Sequence, residues 1–352
     1  MESNVSNILS ERYKNALENW NVDVLVNLIE NNDISSRIIN SKNSRDCSAL
    51  FVACEKGNLE LVRLLIDNGA NVNDVCVYGN TPLHVASEKA NPQIVKYLIE
   101  HGAVLDTTND RNESALHKAC QMNMPKNVKL LLDNGANPDI PNSVGRTVLF
   151  STCYSGYYKI AELLVKANAD VNVRDLYNES ALQIACKYNY TDIAKLLLEN
   201  GANPDIDMGY DNIVQWAIKR EDYDLVDLLI KRGADLPLEW IVRENKTHSL
   251  QLIVKNGCKV PLVQKNVDLL AQAIYNNNVT IAALLMKNVS MDVNDKVEKL
   301  NELLSLNRSD SLLDSATDDA KIKIRHLKRE RERQEIVDIL CAKKNKSSQR
   351  TL

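Results

Sequence analysis

Eight cysteines and five histidines are the side chains in this 352-residue sequence best suited to metal binding, disulfide formation or nucleophilic catalysis. Four of the cysteines, Cys54, Cys120, Cys153 and Cys186, recur at multiples of 33 residues. Thiolates bind zinc at ~2.3 Å, and a disulfide needs Cα atoms within ~7 Å. Each of the four follows a small residue, Ala53, Ala119, Thr152 or Ala185, and Ser87 takes the matching place. If each sits on its own helix, neighbouring thiols stand roughly 8 to 10 Å apart, too far for either bond. The cysteines are therefore expected to be small buried fillers, the common setting of a free thiol. Reduced thiols in register fit a cytosolic or nuclear compartment.

His84 and His117 also share a position in the 33-residue beat, whereas His101, His248 and His326 stand apart. None has a nucleophile, a carboxylate partner or metal-ligand spacing beside it. The sequence has no glycine-rich phosphate loop, nucleophile elbow or kinase signature. No catalytic, cofactor-binding or metal-binding residue is assigned, and the reading is of a protein that is not an enzyme. Lys321, Lys323, Arg325, Lys328, Arg329, Arg331 and Arg333 form a basic run, but Glu330 and Glu332 interleave and Glu335 and Asp338 follow. That pattern favours a solvated helix over a nuclear-localisation or nucleic-acid patch. A net charge of −4 and a pI near 5.8 argue against nucleic acid or an acidic membrane as the partner of the whole chain. No apolar run reaches the ~18 residues of a membrane span, and no signal-type segment opens the chain. A soluble, cytoplasmic protein is expected, with a nuclear location also open.

The elements that position these residues are readable in Gly79-Asn80-Thr81-Pro82-Leu83-His84-Val85-Ala86. Thr81 is a preferred N-cap, and Pro82 falls at the first helical position, where its missing N–H costs nothing. Leu83 and Ala86 then share a helix face. A second helix is marked by Ile94, Val95, Leu98 and Ile99 and ends at His101-Gly102-Ala103. The unit repeats by subtraction. Ala70, Ala103, Ala136, Ala169 and Ala202 are 33 apart, and so are Leu50, Leu83, Leu116, Leu149 and Leu182, with Val214 following at 32.

A helix pair of this period, with Thr-Pro-Leu-His at its start and Gly-Ala-Asn-Val-Asn after it, resembles the ankyrin repeat family. One repeat carries the full tetrapeptide; the others keep the hydroxyl and the leucine in Ser48-Ala49-Leu50, Ser114-Ala115-Leu116, Thr147-Val148-Leu149 and Ser180-Ala181-Leu182. The resemblance implies an all-α solenoid of helix-turn-helix units with short β-turns or hairpins, about nine repeats plus a helical C-terminal tail. Residues 1–40 read as a degenerate N-terminal cap, 41–235 as six regular repeats, 236–290 as two degenerate repeats and 291–352 as a charged, partly helical tail. In the cap, Trp20 stands where later repeats put glycine or a small polar residue, so the turn between its helices is expected to differ.

In ankyrin-like proteins the variable turn tips and the outer face of the first helices, both on the concave side, usually carry the partner contacts. The tip column reads Arg45, Tyr78, Arg111, Val144, Tyr177. The variable first-helix positions include Met122, Tyr154, Lys187 and Tyr188, and the outer repeats are more charged there. Tyr and Arg are frequent hot spots, and a semi-apolar centre within a charged rim is how interfaces are built. These nine residues are the expected protein-binding set of a monomeric, non-catalytic scaffold. Two alternatives use the tail: a substrate-receptor or adaptor subunit of a ubiquitin ligase, or a nuclear regulator touching nucleic acid. The tail shows no convincing F-box or SOCS-box pattern, and its interleaved acids weigh against nucleic acid.

Overall fold

The computed structural model describes residues 2–31, 35–206, 208–209, 211–261, 263–264, 267–276 and 278–288. The tail expectations for 291–352, including the Lys321–Arg333 segment, lie outside the described residues. The chain divides into two compact units, Met1–Asn203 and Pro204–Leu352.

In the first unit α1 (Glu2–Glu18) pairs with α2 (Val22–Glu30), and a short α3 (Ser36–Ile39) follows. Five further pairs succeed them: α4 (Ala49–Lys56) with α5 (Leu59–Asp67), α6 (Pro82–Ser87) with α7 (Pro92–Glu100), α8 (Ala115–Gln121) with α9 (Pro125–Asp133), α10 (Val148–Ser155) with α11 (Tyr158–Lys166), and α12 (Ala181–Lys187) with α13 (Thr191–Glu199). The first members of these pairs pack on one another in order, and the second members, starting from α2, form a second row. Between the rows lies the core. Leu50, Leu83, Leu116, Leu149 and Leu182 are each 1% exposed, and burying one such side chain stabilises by about 1.5 to 3 kcal/mol. Cys54, Cys120, Cys153 and Cys186 are buried and in no disulfide, as their register implied. Burial pushes the Cys120 thiol up to about 12, and Cys54 and Cys153 move the same way.

The capping hydroxyls act as read. Ser48, Thr147 and Ser180 accept the backbone N–H of Phe51, Phe150 and Gln183 at 3.4, 3.4 and 3.2 Å. The final Asn or Asp of each Gly-Ala-Asn-Val-Asn-like motif joins neighbouring hairpins. Asn73, Asp106, Asp139 and Asn172 accept, through the side-chain oxygen, the N–H of Val104, Asn137, Asp170 and Asn203 at 2.8 to 2.9 Å.

Two inter-helix turns need comment. The Trp20 turn does not differ from its counterparts. Trp20 takes a left-handed φ of 51°, as Gly57 does at 73°. In the cap, Trp20 N–H donates to Leu17 O and Asn21 N–H to Ala16 O; in the next repeat Gly57 donates to Cys54 O and Asn58 to Ala53 O. Two backbone bonds outweigh the tryptophan's αL cost, and at Gly57 an added Cβ would meet nothing within 4 Å, so this position leaves room for a side chain. After α6, by contrast, Ala90 does not turn left-handed. Here Asn127 of α9, in a column otherwise filled by Leu61, Ile94, Ile160 and Ile193, reaches across with its Nδ2 to Ser87 O and Lys89 O at 3.1 and 2.7 Å. A neighbouring repeat thus satisfies carbonyls at the end of α6.

The second unit pairs α14 (Ile213–Lys219) with α15 (Tyr223–Lys231), α16 (Leu238–Arg243) with α17 (Thr247–Lys255), and α18 (Leu269–Tyr275) with α19 (Val279–Asn288). Only residues 232–237 separate α15 from α16. A short antiparallel pair, β1 (Val263–Gln264) and β2 (Val267–Asp268), leads into α18.

Candidate functional site

Every predicted binding residue lies in the first unit, on a hairpin tip or near the end of a first helix. The tips are rigid for a local reason. Asn43, Asn109, Asn142 and Asp175 each fold their side chain back, one oxygen accepting two N–H groups of the tip. Asn43 takes Arg45 and Cys47, Asn109 takes Arg111 and Glu113, Asn142 takes Val144 and Arg146, and Asp175 takes Tyr177 and Glu179, all at 2.9 to 3.1 Å. In the second tip Cys76 replaces the Asx residue, and Tyr78 turns left-handed at φ 65°. Backbone bonds then tie one tip to the next: Tyr78 O accepts from Asp110 N–H, Arg111 O from Ser143 N–H, and Val144 O from Leu176 N–H, at 3.0 to 3.2 Å. The variable tip column is therefore a fixed ladder carrying interchangeable side chains.

Tyr78 and Tyr177 are 74% and 70% exposed. Arg45 and Arg111 are exposed, Arg45 beside Glu55 at 3.8 Å, and Val144 is half-buried. At the helix ends Met122, Tyr154 and Tyr188 are each roughly half exposed. The structure brings two of these three together, with the Tyr154 and Tyr188 rings edge to face, centroids 4.8 Å apart. A hydrogen bond to Tyr154 raises the Tyr188 phenol above its ordinary value. Lys187 reaches Glu179 at 3.3 Å.

Arg146 was not legible as a site residue, yet it organises the aromatic end of this surface. Its Nε donates to Asp175 Oδ2 at 2.9 Å, and its guanidinium lies 4.7 Å from the Phe150 ring centroid and 5.8 Å from that of Tyr177. Asp175, its side chain fully buried, therefore closes the tip with one oxygen and holds the arginine with the other. Leu176, apolar and 75% exposed beside Tyr177, is a second residue not legible as part of the site. Membership of the tip, with a polar residue two places before the capping hydroxyl's neighbour, was no signal by itself; the buried Asp175 partner is what gives Arg146 its place.

His84 and His117 open helices. His84 Nδ1 accepts Thr81 N–H at 3.2 Å, while Nε2, 2.9 Å from Glu113 O, carries the proton. His117 Nδ1 accepts Ser114 N–H at 3.1 Å, and its Nε2 faces the Arg146 carbonyl at a geometry too loose for a good bond. Burial lowers both imidazoles, His117 to about 4. Burial also works against charge on Glu113, but hydrogen bonds from Lys118 and Gln121 hold its carboxyl below the usual value.

One cysteine expectation is corrected. Cys47 and Cys76 are joined as a disulfide, with Cα atoms 4.7 Å apart. They belong to different columns, on facing arms of adjacent tips, so the helix-packing distance that separates the in-register thiols does not apply to them. Among the described residues no group of three or more His, Cys, Asp or Glu side chains is placed to hold a metal ion, and no helix is long and apolar enough to cross a membrane.

A family model described as ankyrin repeats, in three copies, matches residues 15–109, 103–175 and 174–239. No curated protein matches the chain.

Proposed function

This chain belongs to the ankyrin repeat family, and from that premise we propose that it is a non-catalytic scaffold that holds a partner protein on the face formed by the hairpin tips and first-helix ends of residues 41–203. Ankyrin repeats are generally protein–protein interaction modules and typically non-catalytic. The observation that carries the reading is the cluster of Tyr154, Tyr188, Tyr177 and Leu176 around Arg146. These side chains are large and held in place by the tip ladder or by one another, yet largely outside the core. A preorganised surface loses little ordering entropy on docking. An interface of about 1,600 Å² would engage several adjacent repeats, with the cytoplasm as its proposed setting.

The test is affinity capture from native cells with the wild type and a Met122→Ala, Tyr154→Ala, Tyr188→Ala variant whose fold is checked by circular dichroism. Proteins captured by the wild type and lost from a folded variant are the expected result. Equal recovery on both would make these three helix-end side chains ordinary surface and overturn the reading that rests on the tyrosine pair.

A further inference from the structure

Cys47 and Cys76 each break a pattern that the other tips keep. Cys76 takes the place where Asn43, Asn109, Asn142 and Asp175 close their own tips with a side-chain oxygen. Cys47 takes the place of Asn80, Glu113, Arg146 and Glu179, all polar. The two departures meet. Residues 29 apart in these columns face one another across adjacent tips, and two such pairs bond: Asn109 Nδ2 donates to Asn80 Oδ1 at 3.0 Å, and Arg146 pairs with Asp175 at 2.9 Å. At these tips the position joins neighbours by a hydrogen bond in one pair and an ion pair in the other. A Cα separation of 4.7 Å falls within the range a disulfide spans.

We propose that Cys47 and Cys76 form a thiol-oxidation site, at which a peroxide closes a cystine between the first and second tips and a thiol reductant reopens it. In the closing reaction one thiol, as thiolate, attacks the peroxide to give a sulfenic acid and one water. The second thiol then attacks that sulfur and expels another water, so two thiols and hydrogen peroxide become one disulfide and two waters. Opening consumes two reductant thiols through a mixed disulfide. The open state is also accommodated. Both sulfurs lie near the Arg45 carbonyl, at 3.4 and 3.9 Å, where a thiol can donate its proton and a cystine has none to give. The in-register cysteines Cys54, Cys120, Cys153 and Cys186 are 0 to 1% exposed, against 4% and 5% for Cys47 and Cys76, and none of the four is in a disulfide. Arg45 and Tyr78 ride on the two joined tips, so the bond would set their spacing; the oxidation site itself holds whether or not that face binds a partner.

The experiment takes the full chain, reduces it with a phosphine, exposes it to hydrogen peroxide, alkylates the remaining thiols and maps the peptides by mass spectrometry. A linked peptide pair carrying Cys47 and Cys76, which disappears when dithiothreitol is added under native conditions, is expected. Native hydrogen exchange should show amides of residues 74–80 several-fold slower in the oxidised form. In Cys47→Ser the link should vanish, and the oxidised and reduced samples should exchange alike over 74–80. Recovery of Cys47 and Cys76 separately alkylated, linkage of either to another cysteine, a bond that dithiothreitol leaves intact, or redox-dependent exchange that persists in Cys47→Ser would each overturn the proposal.

Discussion

The opening and the end of each first helix lie less than two turns apart and obey different constraints. At the opening, Leu50, Leu83, Leu116, Leu149 and Leu182 are identical, each wedged between two helix rows and closed to water. At the end, the corresponding pairs are Glu55-Lys56, Glu88-Lys89, Gln121-Met122, Tyr154-Ser155 and Lys187-Tyr188, with no common type. A neighbouring repeat on either side fixes the size and polarity of the leucine, because close packing penalises both voids and excess volume. The helix ends have no such neighbour over much of their surface. Stacking therefore leaves their identity open to partner recognition without a cost to the fold.

The largest expected effect that would sharpen this contrast is at the packed end of α8. Leu116→Ala removes a fully buried side chain between rows that cannot readily collapse, and should cost ~2 to 5 kcal/mol. Urea unfolding at unchanged m would show it as a lower midpoint. A loss below ~1 kcal/mol would mean that the leucine column does not carry the stack.

A smaller effect separates the buried openings from the exposed ends by pH. Burial holds His117 at about 4, against an ordinary imidazole value of 6.5. Above pH 6.5 the ring is neutral in both states and this stability is fully present. As pH falls from 6.5 toward 4, the unfolded chain takes up a proton that the folded chain refuses, so stability declines, levelling off below about 4. At about 1.4 kcal/mol per unit the loss is on the order of 3 kcal/mol. His117→Gln removes the titration while keeping a cap acceptor, since Gln183 Oε1 accepts Ser180 N–H at 2.8 Å in the same column. Urea midpoints at pH 7 and pH 4.5 should therefore fall further for the wild type than for His117→Gln. Parallel declines would place the acid sensitivity elsewhere.

The same contrast explains what the sequence made legible. Columns with a period of 33 are visible because each recurring residue meets the same surroundings in every repeat: the leucines, the small Ala-Cys pairs and the histidines that open helices. Bonds between repeats join different columns, so they hide from a search at that period. Cys47 and Cys76 are 29 apart, as are Arg146 and Asp175, while Asn73 reaches Val104 at a separation of 31. Asn127 departs from an apolar column because its amide caps the end of α6, a role that no residue of its own column shares. Trp20 misled in the opposite direction, because residue type suggested an altered turn where the backbone bonds keep the common one. Of the nine tip and helix-end residues, the sequence placed all on variable columns, but it could not show that the Tyr154 and Tyr188 rings touch.

The smallest expected effect bears most directly on function. Tyr154→Ala, on the helix next to Leu116, removes a half-exposed ring whose described aromatic partner is the equally open Tyr188. The edge-to-face contact is worth about 0.5 to 1.5 kcal/mol at best, and solvent on both rings places the loss near the lower end. Urea unfolding should therefore shift little, several-fold less than for Leu116→Ala, while a partner that docks on this cluster loses an anchor. If Tyr154→Ala unfolded the protein as readily as Leu116→Ala, the helix ends would be part of the core, and the separation of folding columns from binding columns would fail at its centre.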